Sequence, residues 1–553
     1  MFEVTHRSHR GRSCLLTLPG GTLSTPASLG AEGPFSVSVG EGGRSLRLGD
    51  SVMRLDGKVS KTKSSGPFAP EIVGNVALIR MPIAPGSEKP KDVEAVVVTN
   101  AAELRLDPRA AVEAVVSARE YAGHGAALIA PGLADPSNAA IYACMGIDAF
   151  DDSVAAAMAE MGVLALPTGQ VFSDDATIEG NVSEMRREIG LIRTYIEAGR
   201  LRELAEIRAA SNPFNVALLR LFDSLAADYQ EKAAPAAGGP FRCNTTQSLM
   251  GPDPAGYRRR FVEKYRKPAH KRILLLLPCS ARKPYHRSKS HRAYSSAVHT
   301  AGHDTLVHEV ILTSPLGVVP RELDVFFPAS AYDIPVTGEW KCQEREFIRS
   351  MLAHLLAQGY DAVVSHLGDD AGLVSDLAPM VETAKAGQVS RESLDALDGA
   401  LREAAEGMPK VGYPEDRLET TRSMLAFQFD AAVADALLDG AEIRGKYPYW
   451  KVFRGKEQVC MASEERGMFS MTLAGAGTLA RMGVKTVTVG DFDIKGSVFA
   501  VGVLDADPSI RVGEEVAVVS SSGSVVATGV AAMSGREMVD LARGVAVRIR
   551  HRA

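Results

Sequence analysis

The sequence predicts a multidomain protein of mixed α/β and α+β class in four parts. These are a β/α barrel-like region over 1–235, an α/β core domain with a mainly parallel sheet over 241–385, a small mixed domain over 386–475 and a small β-barrel over 478–553. Three observations carry this. At 553 residues the chain exceeds what a single hydrophobic core supports. Apolar, β-branched runs alternate with helix-length amphipathic segments through the first two parts, as β/α units require. The last part changes character, to short β-branched strands separated by Gly and Asp turns, which suits a small closed sheet.

The first part shows strand-like Ile72 to Ile79 and Ala95 to Thr99 and a helix-like Pro108 to Ala122. Asp151-Asp152 and Asp174-Asp175 are read as solvated caps rather than as general acid/base partners. From Ser183 to Ala210 six arginines recur among Ile, Leu and Tyr at helical spacing, which predicts a solvated amphipathic face. The Ala-, Gly- and Pro-rich stretch from Lys232 to Pro240 then breaks the periodicity as a linker.

The second part opens on a basic run interleaved with aromatics, Tyr257 to Pro268. Its Arg258, Arg259 and Arg260 are either phosphate contacts beside base-stacking rings or a plain basic helix face. Next comes the most apolar run of the chain, Ile273 to Leu277, bounded by Pro278 and of the right length for a buried parallel strand. Residues 278–291 follow it with a thiol, a phenol, two imidazoles and lysine amines, at the carboxyl end of the strand, where open parallel sheets place their ligands. Val307 to Leu312 and Asp361 to Leu367 read as further strands, with Glu344 to Gln358 as a crossover helix. His308 and His366 are expected to be structural, and His286 to face solvent.

In the third part Lys446, Tyr449 and Trp450 are assigned to packing in preference to RNA contact. In the fourth, Arg548, Arg550 and Arg552 alternate and fall on one face of the last strand.

The bulk numbers narrow the function. Composition is that of a globular protein, 46% hydrophobic and 23% charged, and no run nears the ~18 apolar residues that span a bilayer. The first twenty residues lack a signal-peptide core, so a cytoplasmic location and no membrane partner are expected. Six cysteines without a CxxC pair fit neither a disulfide framework nor a zinc ribbon. A net charge of −5 leaves RNA binding to local patches.

Pro278-Cys279, three residues, Lys283-Pro284-Tyr285, two residues, Ser288, two residues and His291 resemble the signature of the archaeosine synthase family, alpha subunit, whose members are similar to tRNA-guanine transglycosylases with altered chemistry. Thr313 to Leu323 and Tyr332 to Gly338 extend the resemblance. It implies a degenerate TIM-like β/α barrel over 1–235, because the transglycosylase Asp-Ser-Gly-Gly-Phe-Gln-type segment and zinc ligands do not stand in this region. Gly180-Asn181 occupies the place of a His-Asn pair. Val489 to Ala500 and the segments after it resemble a PUA domain, an RNA-holding β-barrel, with Lys495, Arg543, Arg548 and Arg550 as RNA-contact candidates.

The reaction the resemblance implies adds free L-lysine to the nitrile of 7-cyano-7-deazaguanine at nucleotide 15 in the tRNA D-loop. The product is an amidine-linked adduct that a separate radical-SAM partner cleaves. No cofactor or metal is expected in this chain, and a homodimer is compatible with it. A nitrile is a weak electrophile and an alkyl ammonium a poor nucleophile, so the site must polarise one and deprotonate the other. Cys279 either attacks first, giving a thioimidate, or stands by while the amine adds directly, with His291 as base and Lys283, Tyr285 or Ser288 donating to the developing nitrogen anion. Asp333 is assigned to orient His291 or to recognise the ammonium. The alternatives are transglycosylase base exchange and a non-catalytic RNA-binding scaffold.

Overall fold

The computed structural model describes residues 1–18, 20–40, 43–55, 67–90 and 92–553. They form two compact units, Met1–Pro235 with Lys495–Val512 and Ala532–Arg548, and Ala236–Ile494 with Gly513–Ala531 and Ile549–Ala553.

The first unit opens with an antiparallel meander, Phe2–Ser8, Gly11–Leu18 and Gly21–Thr25. Its main sheet has six strands. Ala27–Leu29, Ala149–Asp151, Ala127–Ile129, Ala95–Val98 and Val76–Ile79 lie side by side and parallel, with Glu71–Val73 antiparallel at one edge. The central strands are short and wholly buried, which their Ala, Val, Ile and Leu content dictates. Helix Pro108–Ala122 starts where the Asp107 carboxylate accepts from the backbone N–H of Arg109 at 2.8 Å. A closed TIM-like barrel is not seen among the described residues. Between the first parallel strand and Glu71 the chain forms instead an antiparallel trio, Phe35–Gly40, Gly43–Leu48 and Ser51–Arg54.

Two expectations for this unit need correction. Asp151 and Asp152 are buried, not solvated. The arginine-rich stretch breaks into helices Ile178–Glu197 and Leu201–Ala209, and its face is not simply solvated. Arg202 is buried against Glu206 and Asp223, and Arg208 pairs with Glu188 at 2.8 Å. Helical spacing cannot separate a solvated arginine from one that meets a carboxylate across the fold.

In the second unit, α1 (Pro252–Lys264) leads to β1 (Ile273–Pro278), α2 (Lys289–Thr300), β2 (Val307–Thr313), β3 (Gly317–Pro320), α3 (Cys342–Leu356), β4 (Ala362–Ser365) and β5 (Val381–Glu382). The sheet order is β3-β2-β1-β4-β5. β1 is buried throughout and parallel to both neighbours, with Ile273 opposite Val307 and Ala362. β3 turns back antiparallel to β2. Three parallel strands therefore end side by side, at Pro278, Thr313 and Ser365. The helices and four-stranded antiparallel sheet of residues 391–471 share this hydrophobic core, through Leu397, Phe427, Trp450 and Phe469.

The C-terminal stretch contributes to both units. Thr486–Val489 runs parallel to Glu515–Ser520, which pairs with Val525–Ala531 in the second unit. In the first, Val498–Phe499 pairs with the start of Val545–Arg552. Among the described residues no helix is long and apolar enough to cross a membrane.

Candidate active site

The carboxyl ends of β1, β2 and β4 bring together groups far apart in sequence. Cys279 follows β1, Thr313 closes β2, and Asp370 lies in the turn Gly368–Leu373 after β4. From the loop after β1, Lys283 places its Nζ 4.1 Å from the centroid of the Tyr332 ring. Tyr332 and Asp333 form a short strand parallel to Phe241–Arg242.

Beneath the amine is a buried hydroxyl floor. Tyr285 donates to Thr313 Oγ1 at 3.0 Å, and the Tyr332 hydroxyl is bonded to both. Burial raises both phenols far above their ordinary range, so they stay protonated.

Above the floor sit the reactive pair. Cys279 is open to solvent on one side, yet the protein around it raises the thiol's pKa. The charge of Asp370 adds to that rise, while Lys283 and a hydrogen bond with Thr313 oppose it. Burial lowers the Lys283 ammonium, against the pull of Cys279 and Asp333. The thiol moves up and the amine down, each shift led by burial and each opposed by the charge of the other.

Other residues of the 278–291 loop hold it in place. Ser288 caps α2, accepting from the backbone N–H of His291 at 3.1 Å, and its hydroxyl lies 3.2 Å from that of Ser290. Buried His291 accepts at Nδ1 from Arg321 Nη2 at 2.7 Å. Burial, and then the Arg321 charge, lower its pKa to about 3. Arg321 can only donate, so the Nδ1 lone pair is engaged and the ring proton sits on Nε2, which is buried without a hydrogen-bond partner among the described residues. Asp333 is exposed, accepts from the N–H of Ile334 at 3.0 Å, and acts on Lys283, not on His291.

His286, expected in solvent, is half-buried between two carboxylates. Its backbone N–H donates to Asp324 at 2.8 Å, its Nδ1 lies 3.1 Å from the same group, and Nε2 is 3.5 Å from Glu464. Tyr447 donates to Asp324 at 2.6 Å, and Arg321 reaches it at 3.3 Å. Burial alone would raise Asp324, but these donors and charges lower it.

The RNA candidates divide. Arg258 is buried, donating to the carbonyls of Pro315 at 2.6 Å and Leu249 at 2.7 Å with its guanidinium over Phe347, and burial lowers it to about 10. It clamps the fold and presents no charge to RNA. Arg259 and Arg260 are half-buried on α1, while Lys495, Arg543 and Arg548 are exposed. Arg550 is bonded to the buried carboxylate of Glu515 and donates to the Met471 carbonyl at 3.3 Å. Trp450 is buried, as a packing role requires.

Comparison with known proteins decides the family. A protein named archaeosine synthase subunit alpha from Methanosarcina acetivorans is 30% identical over 539 residues, covering 90% of this chain and 85% of its own. The chain belongs to the archaeosine synthase alpha-subunit family. Another member, the archaeosine synthase of Haloferax volcanii, is 30% identical over 83% of this chain and 82% of its own. A tRNA-guanine(15) transglycosylase from Methanobrevibacter smithii is 24% identical over 68% of this chain and 54% of its own. Residues 255–401 match a domain of unknown function, and residues 491–553 match the PUA domain. A crystal structure of a protein of unknown function aligns with a TM-score of 0.41 at 30% identity, covering 53% of this chain and 98% of that one. The archaeosine synthase fold is thus mixed α/β with a C-terminal PUA domain.

Sequence reasoning assigned no role to Thr313, Arg321, Tyr332, Trp340, Asp370 or Asp324. Thr313, Arg321 and Tyr332 stand in the two segments that extend the family signature. Asp370 had one local signal, its Gly-Asp-Asp context just beyond an apolar strand.

Proposed function

We propose that this chain is a tRNA-modifying enzyme of archaeosine biosynthesis that adds free L-lysine to the nitrile of 7-cyano-7-deazaguanine at nucleotide 15. The observation that carries the reading is the pairing of an accessible thiol, Cys279, with a desolvated amine, Lys283, at the carboxyl end of β1.

In this reading the Cys279 thiol gives its proton to the neutral Lys283 amine as sulfur bonds to the nitrile carbon. Lys283 passes that proton to the nitrile nitrogen, and a thioimidate results. Tyr332 and Tyr285 hold Lys283 and the floor in register. The neutral lysine amine then adds to the same carbon, the carbon–sulfur bond breaks, and the amidine leaves with the thiol restored. No redox step occurs. His291 and Ser288 serve by fixing the loop, and Asp333 by its charge on Lys283. Exposed Arg548, Arg543 and Lys495 contact tRNA phosphate. The adduct is the substrate of a separate radical-SAM enzyme.

The test is nucleoside mass spectrometry of 7-cyano-7-deazaguanine-containing tRNA incubated with the protein and isotopically labelled lysine, beside Cys279→Ala. A labelled adduct that vanishes in the variant is expected. Its survival there would replace the thioimidate by direct addition. Release of a free base without adduct would point to the transglycosylase reading, and tRNA binding with no product to the scaffold.

A further inference from the structure

Lysine addition, on the reading above, needs a group that both holds a cation and takes its proton. The incoming side chain arrives as an ammonium and must lose a proton before it can attack; Arg321 engages His291 Nδ1, and Lys283, neutral again once the thioimidate has formed, offers the ammonium no opposite charge. We infer that Asp370 binds the ammonium of the incoming amine and takes its proton.

The topology places Asp370 for this. β4 lies directly beside β1 and parallel to it, in register from Ile273 opposite Ala362 to Leu276 opposite Ser365. The loops after the two strands therefore leave the sheet side by side, one carrying Cys279 and the other Asp370. The Asp370 carboxylate is already oriented, since Trp340 Nε1 donates to its Oδ1 at 2.7 Å. The Trp340 ring is packed against the hydrophobic core, so this donor is fixed. Among the described residues no hydrogen bond is made to the second oxygen, Oδ2. The charge of Asp370 reaches the thiol, raising it.

The protons balance. Asp370 takes one from the ammonium, and the neutral amine adds to the thioimidate carbon. The carbon–sulfur bond breaks, the thiol regains a proton from the attacking nitrogen, and the amidine accepts the proton held by Asp370. Ammonium enters and amidinium leaves. The inference rests on the lysine-addition reading and names a catalytic residue for it.

The experiment compares lysine with hydroxylamine, a nucleophile that is largely uncharged near neutral pH, using wild type, Asp370→Asn and Trp340→Phe on nitrile-bearing tRNA. Asp370→Asn should lose about a hundredfold in kcat/KM for lysine and keep wild-type reaction with hydroxylamine, which also shows that the variant is folded. Trp340→Phe, which removes only the orienting hydrogen bond, should lose about tenfold with lysine, mostly in KM, and nothing with hydroxylamine. Unchanged lysine kinetics in Asp370→Asn, or a parallel loss with both nucleophiles, overturns the assignment of Asp370 and leaves the reaction standing. Wild type that makes no lysine adduct overturns both.

Discussion

At the carboxyl ends of Ala127–Ile129 and Ala149–Asp151 the first unit is sealed. Ala130, Leu133 and Ala134 after one strand are buried, the helix Ala139–Met145 is buried along its whole length, and Asp151, at the end of the next strand, accepts from the N–H of Gly132 at 2.6 Å inside the protein. The second unit has the same local topology and leaves it open, with Cys279 exposed and Lys283 and Asp370 half-buried. Parallel strands offer a site wherever they end. Chemistry becomes available only where the loops keep reactive atoms at the edge of water while a buried hydroxyl floor fixes them from below.

The largest effect should separate these two ends. Lys283→Met removes the amine that, in the proposed mechanism, carries the proton from thiol to nitrile, and kcat for lysine addition should fall by roughly a hundredfold to ten-thousandfold. Lys283→Arg should not restore it, because a guanidinium keeps its proton at any working pH. Asp151→Asn, at the sealed end, should leave kcat within about threefold, the scatter expected of a group outside the reaction. Rapid-quench measurement of adduct formation decides. A collapse of kcat in folded Asp151→Asn would show that the sealed end takes part in chemistry and would break the comparison.

The open end was legible in the sequence, and its internal wiring was not. Five apolar residues ending in Pro announce β1, because a strand buried on both faces has no polar positions to blur the signal. The reactive loop follows directly from that strand. The partners of Ser288 and His291 were hidden for a physical reason. A hydroxyl and an imidazole look equally catalytic until the helix that needs a cap, and the arginine 30 residues away, are seen beside them. The same limit hid Arg258, whose positive charge suggests phosphate but whose partners are two backbone carbonyls. Long-range pairing defines each of these sites, and no local pattern encodes it.

His291 gives a smaller effect with a definite sign. Its folded pKa, lowered to about 3, lies below the ~6.5 of a free imidazole. Between those values the unfolded chain binds a proton that the folded chain does not. The contribution of His291 to stability is therefore complete above about pH 6.5 and declines as pH falls toward 3, by up to about 1.4 kcal/mol per pH unit. Both tryptophans, Trp340 and Trp450, lie in the second unit, so their fluorescence reports its unfolding. Urea midpoints taken from pH 7 to pH 4 should fall more steeply for wild type than for His291→Gln. Equal slopes would mean that the imidazole titrates in the fold and is available as the base that its pairing with Arg321 excludes.

The smallest effect concerns the last strand, where neighbouring arginines have different fates. Both Arg548 and Arg550 are exposed, but Arg550 is also bonded to Glu515, a carboxylate that burial raises and Arg550 and Arg466 pull back down. Arg548→Ala should weaken tRNA binding by only a few-fold and make the slope of log affinity against log salt shallower by about one, with unfolding unchanged. Arg550→Ala should instead cost about 2 kcal/mol of stability, because it strips a charged hydrogen bond from a buried acid, and should alter the salt slope less than Arg548→Ala does. Filter-binding titrations across salt concentrations, paired with urea unfolding, measure both quantities. If Arg550→Ala flattens the salt slope at full stability, its guanidinium exchanges Glu515 for phosphate, and the alternating arginines act together as one basic face.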